Sequence, residues 1–222
     1  MKGRRHVATA LAHPSAILLA AQLVAVLAYP FLQGTIGGRA VLGVVQLCVV
    51  VAAVAAVRLT PALTWVAVLL GGPAIVLTVL EAWQPHHDAI VLASAAFHVP
   101  FYFYISFAML RYLFHDDKVT RDELFATGAA FTVVAWGFAY AYAACQVIWP
   151  GSFTSNGGGD SSWFELLFLS FTTLTSVGLS DVLPVEGHAR SFAIIEMIAG
   201  VFYVALVVAR LVSLAVVRHE RR

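Results

Sequence analysis

Apolar positions are gathered into long runs, and the polar positions between them are few. Runs without a charge extend from His6 to Gly38, Ala40 to Val57, Leu59 to Leu80, Ala89 to Leu110 and Leu124 to Gly159. A sixth covers about Arg190 to Val217 and is broken only by Glu196 and Arg210. A membrane-crossing helix needs about 20 mostly apolar residues. The pattern therefore predicts six spans, at about 12–32, 40–58, 61–82, 89–114, 124–149 and 190–217. Pro61 suits the first turn of the third span, where its missing N–H is not needed. Gly71, Gly72 and Pro73 are expected to loosen or kink its middle. Pro150 and Gly151 stop the fifth. No connecting segment is long enough for a soluble domain, and no internal repeat is evident.

The stretch after Trp149 differs in kind. A soft loop, GSFTSNGGGD, leads into SSWFELLFLSFTTL, which is amphipathic and too short to cross a bilayer. TSVGLSDVLP follows, and then the last span. A short helix and irregular backbone between two full spans predict a re-entrant loop. Such backbone persists at membrane depth only when it is buried in protein or lines water. The pattern by itself points to a pore or a transport site.

Composition agrees. The 222 residues are 61% hydrophobic and 11% charged, with a mean hydropathy of +0.87. A soluble domain carries about 25% charged residues, so a soluble globular domain and a disordered chain are excluded. A net charge of +1 leaves no electrostatic footprint for nucleic acid. Basic residues fix the orientation. With both termini cytoplasmic, Lys2, Arg4, Arg5, Arg58, Arg111, Lys118, Arg121, Arg218, Arg221 and Arg222 fall inside, and only Arg39 and Arg190 fall outside. The basic start followed by an apolar run has the outline of a secretory signal. The run is too long for one, so an uncleaved first span in the cell membrane, a bacterial inner membrane, is expected. Cys48 and Cys145 both lie inside apolar runs and read as small core residues rather than a disulfide pair.

Phe168–Asp181 reads FLSFTTLTSVGLSD. This resembles the pore helix and selectivity filter of bacterial tetrameric potassium channels, whose filter reads T-V-G-Y-G-D. Aligned on Asp181, Ser176 falls on the threonine, Val177 on the valine, Gly178 on the first glycine, Leu179 on the tyrosine and Ser180 on the second glycine. VLPVEGHARSFAIIEMIAGVFYVALVVARLV is likewise similar to the last helix of bacterial members. The resemblance covers residues 116–222. It implies a homotetramer in which carbonyls of Ser176, Val177, Gly178 and Leu179, and the Ser176 hydroxyl, replace the water shell of K⁺. Thr175 opens that filter segment, and Asp181 stands at its outer mouth. Inward-pointing carbonyls require alternating backbone with positive φ, which glycine reaches without steric penalty.

The departures are specific. Ser180 stands where the family has glycine, and positive φ at a non-glycine residue costs about 1–2 kcal/mol. Leu179 removes the hydroxyl that the family's pore-helix tryptophans hold, and Phe168 and Leu169 occupy those positions here. The expectation is a K⁺-preferring filter with weakened selectivity; alternatives are a non-selective Na⁺/K⁺ channel and, from another class, a non-conducting membrane scaffold or regulatory subunit. Gly200, in the middle of the last span, is either a gating hinge or a close-packing point. Arg210 lies near the inner mouth, where snorkelling to headgroups is preferred over a cation-repelling ring. Glu196 is an intramembrane acid and hence a functional candidate, expected to brace the filter through hydrogen bonds.

Other chemistry is thin. The fourth span holds a single arginine, Arg111, where a voltage sensor needs several at every third position. His98 in that span reads as a hydrogen-bonded packing residue rather than a proton sensor. His86, His87 and Asp88 are adjacent ligand-type residues without a fourth partner and read as a solvated loop, not a transition-metal site. No phosphate loop, metal-binding helix pair or nucleophile motif is present, so an enzyme is not expected. Nor is any cofactor beyond K⁺ in the filter, or any partner beyond other copies of the chain and membrane lipids. The predicted architecture is an all-α polytopic membrane protein. Residues 1–115 form four peripheral spans, and residues 116–222 form a pore domain with a pore helix at about 161–174 and a filter at 175–181.

Overall fold

The computed structural model describes residues 14–35, 38, 41–42, 45, 61–84, 87–113, 121–154 and 159–220. All regular elements among them are helices: α1 (Pro14–Leu32), α2 (Pro61–Trp83), α3 (Asp88–Leu113), α4 (Arg121–Ile148), α5 (Trp163–Leu174) and α6 (Gly187–Glu220). Most of the span expected at 40–58 and most of the charged segment 115–123 lie outside the described residues. So do His86, Arg39 and Cys48. Four of the helices, α1, α3, α4 and α6, are long and apolar enough to cross a membrane. The chain is a membrane protein of the all-helical class. α2 begins at Pro61, and it runs on past Pro73. α6 is longer than its apolar run, reaching back to Gly187 and on to Glu220.

α4 is the hub. It packs against α1, α3, α5 and α6. In its apolar stretch 61% of residues are buried, against 22% in α1 and in α6. Alanines line it at Ala126, Ala129, Ala130, Ala135 and Ala139. Small residues let helix backbones approach closely where lipid offers no hydrophobic drive to associate. Aromatic rings fill the space beyond: Tyr102 meets Trp136 edge-on at 6.1 Å, and Phe103 meets Phe138 at 5.0 Å.

Polar groups tie these helices at chosen points. Thr132 Oγ1 donates to Gln22 Oε1 at 2.5 Å, joining α4 to α1. His98 is wholly buried. Its Nδ1 lies 2.8 Å from the Ser94 carbonyl and its Nε2 3.1 Å from Thr78 Oγ1, while its ring stacks on Tyr140 at 4.2 Å. This one side chain thereby joins α2, α3 and α4. At the start of α4, Asp122 accepts from Ser15 N at 3.3 Å and from Ser15 Oγ at 3.0 Å. It satisfies a first-turn donor of α1 from a neighbouring helix, the task a cap normally does locally. Asp122→Ala is expected to cost about 1 kcal/mol and to raise amide exchange in the first turn of α1 only; unchanged exchange there would refute the capping role.

Candidate functional site

The re-entrant element starts from a local signal. Ser162-x-x-Glu165 is a capping box: Glu165 N donates to Ser162 Oγ at 3.3 Å, and Ser162 N donates to Glu165 Oε2 at 2.6 Å. It starts α5 at Trp163, two residues after the expected start, because the capping serine itself stays extended. The S-x-x-E spacing was available in the sequence and marks this boundary better than apolarity does. α5 then buries Leu166, Leu167, Leu169, Ser170, Thr172, Thr173 and Leu174.

The far end of α5 sets the backbone that follows. Thr175 caps the helix with its N–H on the Phe171 carbonyl at 3.0 Å and its hydroxyl on the same oxygen at 2.6 Å. Ser176 N reaches the Thr173 carbonyl at 3.0 Å, and Val177 N reaches that of Thr172, also at 3.0 Å. This is the Schellman pairing, in which the residue past the cap turns left-handed. That residue is Ser176, with φ +60°. The position ordinarily favours glycine, and its cost of about 1–2 kcal/mol is met by the two bonds it closes. Gly178 follows with φ +69° and donates to the same Thr172 oxygen at 3.1 Å.

Here the structure corrects the sequence reading. The strained non-glycine residue is Ser176, and Ser180 is not left-handed. Ser180 instead folds its hydroxyl onto the chain, accepting from Val182 N at 3.2 Å, the local bonding typical of serine in turns. Leaving the helix demands the left-handed turn, and that demand falls four residues earlier than alignment to a glycine-rich motif implies.

The result is a loop with its donors turned inward. The N–H groups of Ser176, Val177 and Gly178 are spent on α5 carbonyls. Among the described residues, no donor reaches the carbonyls of Ser176, Val177, Gly178 or Leu179. Thr175 to Leu179 are exposed, Val177 at 59% and Leu179 at 74%. Asp181 is exposed beyond them. The loop is held beyond Leu179 too. Thr154 N donates to the Leu183 carbonyl at 2.9 Å, Leu183 N to Thr154 Oγ1 at 2.7 Å, and Val185 N to the Ser152 carbonyl at 2.9 Å. Val182, 1% exposed, is seated in the core that joins α4, α5 and α6.

Two residues of α6 stand behind this loop. Glu196 is fully buried, and its carboxyl group accepts from the hydroxyls of Tyr142 on α4 and Ser170 on α5. It therefore ties α6 to both α4 and α5. Gly200 is buried one turn further along. A Cβ there would lie 1.9 Å from the carbonyl oxygen of Leu174, the last residue of α5. Arg210, half-buried, lies ten residues further along α6 on the side away from the loop. Arg111 occupies the last turn of α3. Among the described residues, no group of three histidine, cysteine, aspartate or glutamate side chains is placed to hold a metal ion.

Residues 128–217, from the first turns of α4 to the last turns of α6, match the family model described as ion channel. No curated protein and no solved structure matches the chain. The match supports a passive ion channel built on a pore loop, a transport protein rather than an enzyme.

Proposed function

We propose that the chain forms a homotetrameric cation channel in a cell membrane, with both termini cytoplasmic and the loop 175–181 of four copies around the conduction axis. The observation that carries this reading is the run of four carbonyls on exposed residues that no donor among the described residues reaches, on a loop whose N–H groups are bound behind it. Four such runs supply rings of oxygen able to replace the water around K⁺. The negative end of the α5 dipole adds to the attraction, and four copies of Asp181 draw cations to the outer mouth. Glu196 braces the loop from α6. A bend at Gly200 opens the inner end, and Arg210 marks the inner mouth with its charge at the headgroups.

K⁺ is the preferred ion, with selectivity below that of a T-V-G-Y-G-D filter. Ser180 does not take the left-handed conformation, so the alternation that aims successive carbonyls inward ends before the outermost ring. The same fact favours the second reading, a non-selective Na⁺/K⁺ channel.

Purified protein in a planar bilayer, with K⁺ on one side and Na⁺ on the other, tests both. A reversal potential displaced toward the K⁺ equilibrium value is expected for the native chain, and a larger displacement for Ser180→Gly. A reversal at zero in both proteins would overturn K⁺ preference. A stable monomer in mild detergent would overturn the pore itself.

A further inference from the structure

Beside the pore loop, between the peripheral helices and the pore region, lies a cavity of about 360 Å³. It is bounded by the ends of α1 and α2, the start of α3, the end of α4 and the start of α5. These helix ends are on the side of the filter mouth, which the orientation derived above makes the outer side. The volume falls in the range of sites for small organic ligands, roughly 300–1,000 Å³.

Two kinds of group in its lining, set among neutral polar and aliphatic residues, bear on what it binds. Tyr29, Trp163 and Tyr140 form one continuous aromatic wall, with the Trp163 ring 5.8 Å from Tyr29 and 5.6 Å from Tyr140. Glu81, Asp88 and Asp160 also line the cavity, and its described lining residues include no lysine, arginine or histidine. Glu81 is held in place by Ser94, whose hydroxyl donates to Oε2 at 2.7 Å. Aromatic faces and carboxylates share one ligand preference. An organic ammonium presents spread positive charge and apolar methyl or methylene groups, which ring faces attract by cation–π contact, while its net charge answers the acids. A bare inorganic cation gains from compact cages of oxygen, and an anion or a neutral apolar molecule is disfavoured by three carboxylates.

We propose that this cavity is a binding site for a small organic ammonium ion arriving from the outer side. It is separate from the conduction path. Its position against the first turn of α5 places a bound ligand on the helix that ends at the filter.

The test is calorimetric titration of the full-length protein in detergent with choline, and with 3,3-dimethylbutan-1-ol, its uncharged analogue of the same shape. Saturable binding of choline is expected, with the neutral analogue at least tenfold weaker. Glu81→Gln and Asp160→Asn should each weaken choline by about fivefold or more, and Asp181→Asn at the filter mouth should leave it unchanged. The neutral analogue needs no variant, so the outcome does not hang on whether Glu81→Gln folds. Absence of saturable choline binding, equal binding of the analogue, or the same heat from KCl at equal ionic strength would each overturn the proposal. Loss of binding in Asp181→Asn but not in Glu81→Gln or Asp160→Asn would place choline in the pore and overturn it as well. Because binding is read without current, a channel that never conducts leaves the result intact.

Discussion

Gly200→Ala is expected to be among the most damaging single substitutions in the chain, although it adds one methyl group to a helix. The new Cβ would stand 1.9 Å from the Leu174 carbonyl oxygen and 2.8 Å from its carbon. Both are far inside van der Waals contact, and the obstacle is backbone, which cannot rotate away. Leu174 is itself pinned, since Thr175, Ser176, Val177 and Gly178 are all hydrogen-bonded to the last turn of α5. Either α6 withdraws, uncovering the loop, or the Leu174 peptide moves and carries the filter with it. Overpacking of this sort costs about 1–3 kcal/mol per chain. Thermal unfolding in detergent should therefore shift down, and channel currents should fall sharply or vanish. Gly72→Ala is the control. Its Cβ would meet nothing within 4 Å, so the substitution should be neutral or should stabilise by up to about 1 kcal/mol through helix propensity. Equal midpoints for the two variants would show that α6 does not sit against α5 as described.

Removing the Glu196 carboxyl is expected to loosen the same region by a different route. Glu196→Ala leaves the Tyr142 and Ser170 hydroxyls facing a hole in a dry interior. Ser170 Oγ retains the Ala135 carbonyl at 2.8 Å, so Tyr142 bears more of the loss. Orphaned donors cost about 1–3 kcal/mol each, and the cavity adds to that, giving about 3–5 kcal/mol in total. Glu196→Gln keeps the volume and one acceptor and should cost about 1–2 kcal/mol. The diagnostic measurement is a double-mutant cycle of Glu196→Ala with Tyr142→Phe, read as unfolding midpoints. Residues sharing one hydrogen-bond network couple by about 0.5–3 kcal/mol. Strict additivity would refute the clip between α4 and α6.

The two contacts explain why α6 is needed behind a loop that it does not itself form. Glu196 and Gly200 lie on one stripe with Ala189, Ala193, Tyr203 and Val207, the buried positions among the described side chains of that helix. Ile194, Ile195, Ile198, Val201 and Phe202, off that stripe, are each about half exposed or more in the single chain. Tyr203 closes the stripe by donating to the Thr127 carbonyl at 2.5 Å.

Much of this was legible from order along the chain alone. The helical spans at 14–32, 61–83, 88–113, 121–148 and 187–220 follow from run length and the scarcity of charge, because backbone in hydrocarbon has to satisfy its own hydrogen bonds and a helix does so locally. The short helix and irregular loop between the last two spans and the lone arginine of α3 are likewise properties of consecutive residues. What the sequence left open concerns partners distant along the chain. Apolar residues face both lipid and protein in a membrane, so hydrophobicity does not reveal which side of α6 is buried; size and shape do, and they show only once the neighbour is in place. Whether Gly200 had a close neighbour depended on Leu174, 26 residues away. Glu196 found Tyr142 and Ser170, and Asp122 found Ser15, more than a hundred residues before it. The site of backbone strain moved from Ser180 to Ser176 because the geometry of leaving α5 sets it, and that geometry belongs to the helix end rather than to a motif. The acid-and-aromatic cavity has no linear signature: Tyr29, Glu81, Tyr140 and Trp163 come from four helices, and only their packing brings them around one space.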